Sequence, residues 1–337
     1  MRVGDGSPFV TGTLTLNRND GSLGGSITVD ALAATAARVH EAPAGSDGPA
    51  IITLSQSNNV WSVPPGARLT PAQITAFDAG NLYFNAQSAA NPNGELRGQI
   101  GREVYPLRLS GGQEVPAVAT AASGSGRLLL DPATKTLSGA VQVSGMTASV
   151  AHVHQGAAGV NAPPLIDLAE SPAGSGTWVV PANTVLNDAQ LGALRAGEMY
   201  VNAHSIANPD GEIRSQAGRT VRIANLNGGF EVPANASAAT GRGFIVLDRA
   251  TRQLSARVAT TGITGTVAHI HPGAVGVNGP PLINLTETPA GSGIWLTAAA
   301  ATLNAAQMKA LLDGDMYFNV HSAALPDGEI RGQIDLD

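Results

Sequence analysis

Short runs in which apolar and polar residues alternate follow one another along the chain, and clusters of glycine, proline, asparagine and aspartate separate them. Residues 126–131 and 137–143 are two such runs, and the turn residues between them predict a β-hairpin. The same pair returns at residues 243–248 and 254–259. Because alternate side chains of a strand point to opposite faces, each run predicts a strand with one buried face.

The whole pattern occurs three times, with a period long enough for a domain. Each occurrence carries one histidine in register, at spacings of 114 and 117 residues: His40, His154 and His271. We expect three repeats with these boundaries: repeat 1 at residues 1–103, repeat 2 at 104–220 and repeat 3 at 221–337. Repeats 2 and 3 open with Leu-x-Gly-Gly-x-Glu-Val-Pro at Leu109 and Leu226, whereas repeat 1 begins at its second predicted strand.

Each repeat also predicts one buried tryptophan and one short helix. The tryptophans lie in apolar strands and are expected in the core: Trp61, Trp178 and Trp295. A cap residue followed three positions later by glutamine has the spacing of a capping box, as at Asn187 and Asn304, and Thr70 precedes a proline suited to the first helical position. A glycine is expected to end each helix: Gly80, Gly197 and Gly314.

Composition narrows the class of protein. The chain has 337 residues, of which 41 are glycine and 21 proline, and this suits β domains with many turns. A net charge of −6 and the lack of a basic run argue against a nucleic-acid partner. Cysteine is absent, so disulfides and thiolate metal sites are excluded. No apolar run reaches the roughly 18 residues of a membrane span, and the polar start at residues 1–6 does not resemble a signal peptide.

All seven histidines belong to one recurring motif. A His-x-His strand puts two imidazoles on one face, and a later Tyr-x-Asn-x-His strand adds a third, 52 residues after the first in repeats 2 and 3. If the strands are neighbours, the three imidazoles converge as metal ligands, and the usual affinity order favours copper, with zinc as the alternative. A hydrogen-bonded structural network is the other interpretation. The predicted ligands are His152, His154, His204, His269, His271 and His321.

Repeat 1 is an internal comparison, because it keeps only one of the three histidines. Arg38 replaces the first predicted ligand and Gln87 the third, so His40 stands alone. The neighbouring Gly-Glu-Leu/Ile-Arg element is kept in all three repeats, which indicates that it serves the fold, with orientation of a ligand imidazole as the alternative role. Its charged residues are Glu95, Glu212, Glu329, Arg97, Arg214 and Arg331.

The Leu-x-Gly-Gly-x-Glu-Val-Pro opening, the Ala-His-Ile/Val-His strand with its Gly-x-x-Gly-x-Asn-x-Pro loop, and the Tyr-x-Asn-x-His and Gly-Glu-Ile-Arg strands together resemble the CHRD domain, the module named after chordin. The resemblance covers nearly the whole chain. In chordin such repeats belong to an extracellular antagonist of bone morphogenetic proteins. The resemblance therefore implies a secreted or periplasmic protein with a possible extracellular protein or surface as partner.

A more distant resemblance is to the copper side of Cu,Zn superoxide dismutase. In that family a His-x-His pair and a later strand histidine bind copper, which implies copper at both predicted triads. An arginine near the C-terminus of that family guides the anion, and Arg214 and Arg331 match its position loosely. The chain has no histidine at the position of the bridging ligand, no visible zinc-ligand set and no cysteine pair. The resemblance therefore implies a copper-only site and gives little support to dismutase activity.

These patterns predict an all-β protein of three tandem Greek-key β-sandwich modules, superoxide dismutase- or immunoglobulin-like, each with one short helix. The predicted function is copper binding at three-histidine sites in repeats 2 and 3. Redox activity at an open coordination position is left undecided, and any enzyme would be a copper oxidoreductase. The alternative is a metal-independent extracellular binding or adhesion scaffold.

Overall fold

The computed structural model describes residues 9–30, 32–248 and 251–336. The described chain is mostly β-strand, as predicted, with three short α-helices. The polar start at residues 1–6 lies outside the described residues. None of the described helices is both long and apolar enough to cross a membrane.

Repeat 1 forms two four-stranded sheets, ordered β1-β2-β6-β5 and β4-β3-β7-β8. Its elements are β1 (Phe9–Leu16), β2 (Leu23–Asp30), β3 (Ala34–Glu41), β4 (Ala50–Thr53), β5 (Ser55–Ser57), β6 (Val60–Ser62), α1 (Pro71–Asp78), β7 (Leu82–Ser88) and β8 (Leu96–Gln99).

Repeat 2 forms one ten-stranded sheet and has a short 3-10 turn at Gly111–Gln113 after its first strand. Its other elements are β9 (Glu103–Ser110), β10 (Ser123–Asp131), β11 (Thr136–Ser144), β12 (Val150–Gln155), β13 (Pro164–Asp167), β14 (Ala169–Glu170), β15 (Thr177–Val179), β16 (Thr184–Val185), α2 (Asp188–Ala196), β17 (Met199–His204) and β18 (Ile213–Gln216).

Repeat 3 also forms one ten-stranded sheet, with a 3-10 turn at Gly228–Phe230. Its other elements are β19 (Thr220–Asn227), β20 (Thr240–Asp248), β21 (Gln253–Thr261), β22 (Gly265–Pro272), β23 (Ile283–Glu287), β24 (Ile294–Leu296), β25 (Ala301–Thr302), α3 (Ala305–Asp313), β26 (Met316–Ser322), β27 (Ile330–Gln333) and β28 (Asp335–Leu336).

The first strand of a repeat joins its two sheets. In repeat 3, β19 pairs with β20 on one side and with β27 and β28 on the other, and β20 also pairs with β21. The sheets of the predicted sandwich therefore close into a flattened barrel. Around it the strands run β19, β20, β21, β24, β23, β22, β26, β27, an order with the long crossing connections of Greek keys. In the described part of repeat 1 no strand lies between β1 and β8, so its sheets stay separate.

The barrel interior is apolar, and the histidine motif lies on the outer face of the sheet. Ile270 on β22 and Phe318 on β26 have no exposed surface and pack in the core of repeat 3. Strand alternation turns their neighbours His269 and Asn319 the other way, opposite each other in the register. The three tryptophans are buried, as predicted.

The helices begin as the capping-box spacing predicts. The side chains of Thr70, Asn187 and Asn304 each accept from the backbone N–H three residues on, and that residue's glutamine reaches back to the cap. Gly197 and Gly314 end α2 and α3 in the left-handed conformation. Helix α1 ends at Ala79 in a right-handed conformation, and Gly80 follows with φ +72°.

The chain divides into two compact units, whose segments are Met1–Val104 with Leu129–Thr134, and Tyr105–Leu128 with Lys135–Asp337. Most of repeats 2 and 3 therefore belongs to one unit. Residues 156–163 of repeat 2 and strands β19 and β20 of repeat 3 all lie within that unit.

Candidate metal centre

The strand register brings each predicted triad together. In repeat 2, β12 and β17 are antiparallel neighbours, with His152 opposite Asn202 and His154 opposite Tyr200. His204 ends β17 beside the start of β12. The same strands of repeat 3, β22 and β26, place His269, His271 and His321 in the same arrangement.

One nitrogen of each of two histidines in a triad is held by a backbone carbonyl. In repeat 2 the Nδ1 of His154 lies 2.9 Å from the oxygen of Ala162, and the Nδ1 of His204 lies 3.0 Å from the oxygen of Pro209. A carbonyl oxygen only accepts, so both Nδ1 atoms carry the proton and both Nε2 atoms keep a lone pair. In repeat 3, Gly279 and Pro326 supply the carbonyls at 2.9 Å to His271 and His321.

The first histidine of each triad turns its Nδ1, and not its Nε2, towards the third histidine. His152 Nδ1 lies 3.1 Å from His204 Nε2, and His269 Nδ1 lies 3.3 Å from His321 Nε2. Two ligands about 2.0 Å from one tetrahedral ion lie about 3.3 Å apart, so these separations suit a shared ion. The ligand atoms of each triad all lie within 4.8 Å of one another. The donor set for an ion is therefore one Nδ1 and two Nε2 atoms.

Burial keeps most of the triad imidazoles neutral. It lowers the pKa of His154, His204, His269, His271 and His321, and neighbouring imidazoles lower most of these pKa values further. Metal binding requires neutral imidazole. The lowered pKa values therefore extend to more acidic pH the range in which these imidazoles are neutral and able to act as ligands.

An arginine, a tyrosine and a histidine form a stack beside each triad. In repeat 3 the guanidinium carbon of Arg331 lies 3.4 Å above the ring of Tyr317, whose centroid is 4.9 Å from that of the nearly parallel His271 imidazole. Repeats 1 and 2 have the same stack, with centroid distances of 5.0 and 4.6 Å between histidine and tyrosine. Its members there are Arg97, Tyr83 and His40, and Arg214, Tyr200 and His154.

The stack fixes the loop after the His-x-His strand, which we call the histidine loop (residues 156–163 in repeat 2 and 273–280 in repeat 3). Arg214 donates to the carbonyls of Ala157 and Val160, and the Tyr200 hydroxyl accepts from the N–H of Ala162. The loop therefore holds the carbonyl that orients His154. Arg214 and Arg331 are each 1% exposed. The anion-guiding role implied for them is wrong, because their guanidinium groups are bound to loop carbonyls away from solvent.

Repeat 1 keeps the stack without the triad. Arg38 donates to Gln87 at 3.0 Å, in the place of the contact between the first and third histidines. His40 Nδ1 lies 2.8 Å from the carbonyl of Gly48, and its Nε2 is buried without a hydrogen-bond partner, as is the Nε2 of His154 and of His271. A buried Nε2 without a hydrogen-bond partner is therefore found in the stack of all three repeats. Repeats 2 and 3 differ from repeat 1 in that two more imidazoles converge on this nitrogen.

The glutamates of the Gly-Glu-Leu/Ile-Arg element bind hydroxyl groups. Glu212 accepts from Ser205 and Thr120, and Glu329 accepts from Ser237. These contacts tie neighbouring segments of the barrel together, which agrees with the predicted role in the fold. The hydrogen-bond partners are therefore hydroxyl groups and not ligand imidazoles.

Sequence reasoning missed a buried glutamate beside the stack in repeats 2 and 3. Glu114 and Glu231 are the glutamates of the Leu-x-Gly-Gly-x-Glu-Val-Pro openings, and each accepts weakly from the asparagine of the Tyr-x-Asn-x-His strand. Burial raises the pKa of each to about 7, although Arg214 or Arg331 acts in the opposite direction. Their recurrence at one position of the opening motif was the available signal.

Sequence reasoning also missed a charge difference between the triads. The Nε2 of His152 lies 3.6 Å from the carboxylate of Asp167 on β13. Asn284 on β23 occupies the same register position beside His269. The repeat 2 triad therefore has an adjacent negative charge where the repeat 3 triad has a neutral amide.

The triads, stacks and opening motifs lie within three stretches matched by one protein family. The family model of the CHRD domain matches residues 7–100, 105–217 and 223–334. The chain belongs to the CHRD domain family. Each match lies inside one predicted repeat, and the repeat boundaries themselves stay predictions. The CHRD domain is a domain of extracellular type. No curated protein and no solved structure matches the chain.

Proposed function

We propose that repeats 2 and 3 of this CHRD protein each bind one copper ion through three histidines. The observation that carries the proposal is the repeated triad, in which one nitrogen of each of three histidines lies within 4.8 Å of the other two. Backbone carbonyls hold the second nitrogen of two ligands in each set, an arrangement that typically orients metal-binding histidines. The ligands are His152, His154 and His204, and His269, His271 and His321.

Copper is preferred to zinc because the general affinity order of divalent ions favours copper at a nitrogen site. Bound copper supplies redox chemistry, and a set of three protein ligands leaves a coordination position for a small molecule. The chain's own residues orient the imidazoles through backbone carbonyls and keep them neutral by burial. The family's extracellular type supports action outside the cytoplasm, in a secreted or periplasmic setting.

Metal analysis after copper loading and desalting tests the proposal. We expect about two copper ions per chain in the wild type, and one fewer in each of His154→Ala and His271→Ala. A parallel loading with zinc compares the two ions. Circular dichroism confirms that the variants are folded.

Chains that retain no metal of any kind would contradict the proposal. The function would then be a metal-independent extracellular binding scaffold. Repeat 1, which keeps the stack without a triad, supports this alternative. In that case the histidine variants would fold and leave partner binding unchanged.

A further inference from the structure

Two strand edges of repeat 1 are open where the other repeats have a further strand. In repeat 2, β9 lies between β18 and β10, and in repeat 3, β19 lies between β27 and β20. The corresponding strands of repeat 1 are β8 and β1, and each is the last described strand of its sheet. Open edges of this kind are templates for pairing with another strand. We call the place between β1 and β8 the strand slot.

The core of repeat 1 is partly exposed along the strand slot. Leu16 on β1 and Leu96 on β8 pack against this core but are only partly buried. Their counterparts in repeat 3, Leu247 and Ile330, have no exposed surface. The first strand of repeat 3 contributes the buried Leu226 to the same core. The strand slot therefore leaves open an apolar surface that a first strand covers in repeat 3.

A glycine on β8 leaves space for a neighbouring strand. Gly98 corresponds to Gly332 on β27. A Cβ atom on Gly332 would lie 2.5 Å from the carbonyl oxygen of Asn225 on β19, so glycine permits this close approach of two backbones. A Cβ atom on Gly98 would meet nothing within 4 Å. Repeat 1 thus has the same glycine, and the space beside it is open.

The stack of repeat 1 also differs in the carboxyl group beside it. In repeat 3 the buried Glu231, which follows the first strand, interacts with Arg331. In repeat 1 the carboxylate near Arg97 is that of Asp47, whose side chain is fully exposed. Arg97 is also more exposed than Arg331. A carboxylate that enters the strand slot would therefore find a guanidinium group to pair with.

We propose that the strand slot binds the opening segment of a CHRD repeat that belongs to a separate polypeptide chain. This segment is a β-strand with apolar residues at alternate positions, such as Leu107 and Leu109, followed by Gly-Gly-x-Glu-Val-Pro. Repeats 2 and 3 show what fits, because each has this segment at the corresponding place. Residues 1–8 do not contain the sequence. Addition of a strand to an open sheet edge is a common mode of peptide binding.

Three contacts make the strand slot selective for this segment. The backbone of the bound strand pairs with β1 and β8, and its apolar side chains cover Leu16 and Leu96. Its glutamate pairs with Arg97, as Glu231 does with Arg331 in repeat 3. An extended peptide without the apolar positions or the glutamate lacks two of these contacts.

Fluorescence anisotropy with a labelled peptide tests the proposal. The peptide has the sequence of residues 220–233, because repeat 3 shares the glycine of β8. We expect the wild-type chain to bind it with a dissociation constant on the order of 10 µM. Gly98→Val should weaken binding by about tenfold or more, since its side chain would occupy the strand slot. Gly192→Val, at an exposed glycine of α2 that also has nothing within 4 Å of its Cβ position, should bind like the wild type.

Variants of the peptide test which of its side chains are recognised. Leu226→Asp in the peptide should abolish measurable binding, because it would place a charge against the core. Glu231→Gln in the peptide should weaken binding severalfold, because it removes the charge that pairs with Arg97. Equal binding of all three peptides would contradict recognition of the opening sequence.

Hydrogen exchange shows where the peptide binds. With the peptide present, the backbone amides of β1 and β8 should exchange more slowly, and those of β10 and β18 should be unchanged. A wild-type chain that binds no peptide, binding that survives Gly98→Val, or protection confined to other strands would each overturn the proposal.

Discussion

His154 and His271 are each fixed on three sides, by a strand, by a stacked tyrosine and by a backbone carbonyl. An imidazole held in this way would lose little conformational entropy when an ion binds. The first histidine of each triad is less restricted, because its nearest described partner is the third imidazole. Differences between the two sites are therefore expected at His152 and His269, where the adjacent residue is Asp167 or Asn284.

We expect the copper affinity of repeat 2 to exceed that of repeat 3. The carboxylate near His152 favours a bound cation, and partners of this kind typically change metal affinity by about tenfold or more. The side chain of Asp167 is 88% exposed, so screening by water should limit the change to about three- to tenfold. Competition with a chromogenic chelator measures each site alone, in His271→Ala and His154→Ala backgrounds.

The exchange variants give the matched control for this prediction. Asp167→Asn should lower the affinity of repeat 2, and Asn284→Asp should raise that of repeat 3. Equal affinities in all four single-site proteins would contradict an effect of the carboxylate.

Glu114 makes the stability of repeat 2 depend on pH. Its pKa is raised from 4.5 to about 7, so the folded state holds a proton that the unfolded chain releases. The stability that this proton contributes to the folded state is fully present below about pH 4.5 and is lost as the pH rises through about 7. The difference in the free energy of unfolding between Glu114→Gln and the wild type should therefore shift in favour of the variant by about 2–3 kcal/mol between pH 5 and pH 8.

Thermal denaturation between pH 5 and 8 measures this difference. The histidines with lowered pKa values act in the opposite sense below about pH 6.5, so each variant is compared with the wild type at the same pH. Glu198→Gln, at an exposed site of the same repeat, is the control. Parallel pH profiles of Glu114→Gln and the wild type would show that Glu114 does not hold the proton.

At the level of elements, two neighbouring strands and the loops that follow them define each site. Antiparallel pairing of β12 with β17 sets the positions of the imidazoles, and the histidine loop supplies the carbonyl that orients the central one. The stack connects the loop to the sheet, since its arginine donates to loop carbonyls. The same loop of repeat 2 also carries the contact with repeat 3 through Ala158.

Removing the guanidinium of the stack should loosen the histidine loop. Arg214→Met keeps the aliphatic volume but deletes the hydrogen bonds to Ala157 and Val160, at a cost of about 3 kcal/mol for a buried charged group. The copper affinity of repeat 2, measured in the His271→Ala background, should fall about tenfold. Arg97→Met removes the same group from repeat 1 and should leave the copper content at two ions. An unchanged copper affinity in Arg214→Met would show that the stack does not support the site.

At the level of the whole molecule, one repeat design appears in three states. Repeat 1 has the stack without a triad, repeat 2 has a triad beside a histidine loop that repeat 3 covers, and repeat 3 has a triad beside a histidine loop whose Val275 is exposed. Arg38 accounts for the first state, because a permanent cation replaces a ligand there. A repeated fold thus carries different surface chemistry at each position of the array.

Restoring two histidines in repeat 1 should create a third copper site. The register of β3 with β7 places residues 38, 40 and 87 as in the other repeats, and His40 already has its carbonyl partner. Arg38→His combined with Gln87→His should raise the copper content from two to three ions per chain. Gln87→His alone keeps the cation and should leave it at two. A double variant that folds but binds no additional copper would show that the triad needs more than these three positions.

The repeat pattern, the hairpins, the helix caps and the identity of both triads were all readable from the amino-acid sequence. Each depends on local chemistry, because strand alternation, turn residues and capping interactions act over a few residues. The repetition shows which of these residues recur at the same position of each repeat. The predicted all-β fold and the three CHRD matches agree with that local information.

Four features were decided by tertiary structure, because they depend on segments far apart in the chain. Closure of the barrel requires the first strand to pair with the last ones, and the burial of Arg214 requires the histidine loop to fold over it. The nitrogen that each imidazole presents is set by carbonyls such as those of Ala162 and Pro209, which no side-chain pattern reveals. The exposure of Val275 on the histidine loop of repeat 3, where the corresponding Ala158 of repeat 2 is buried, likewise depends on how neighbouring repeats pack.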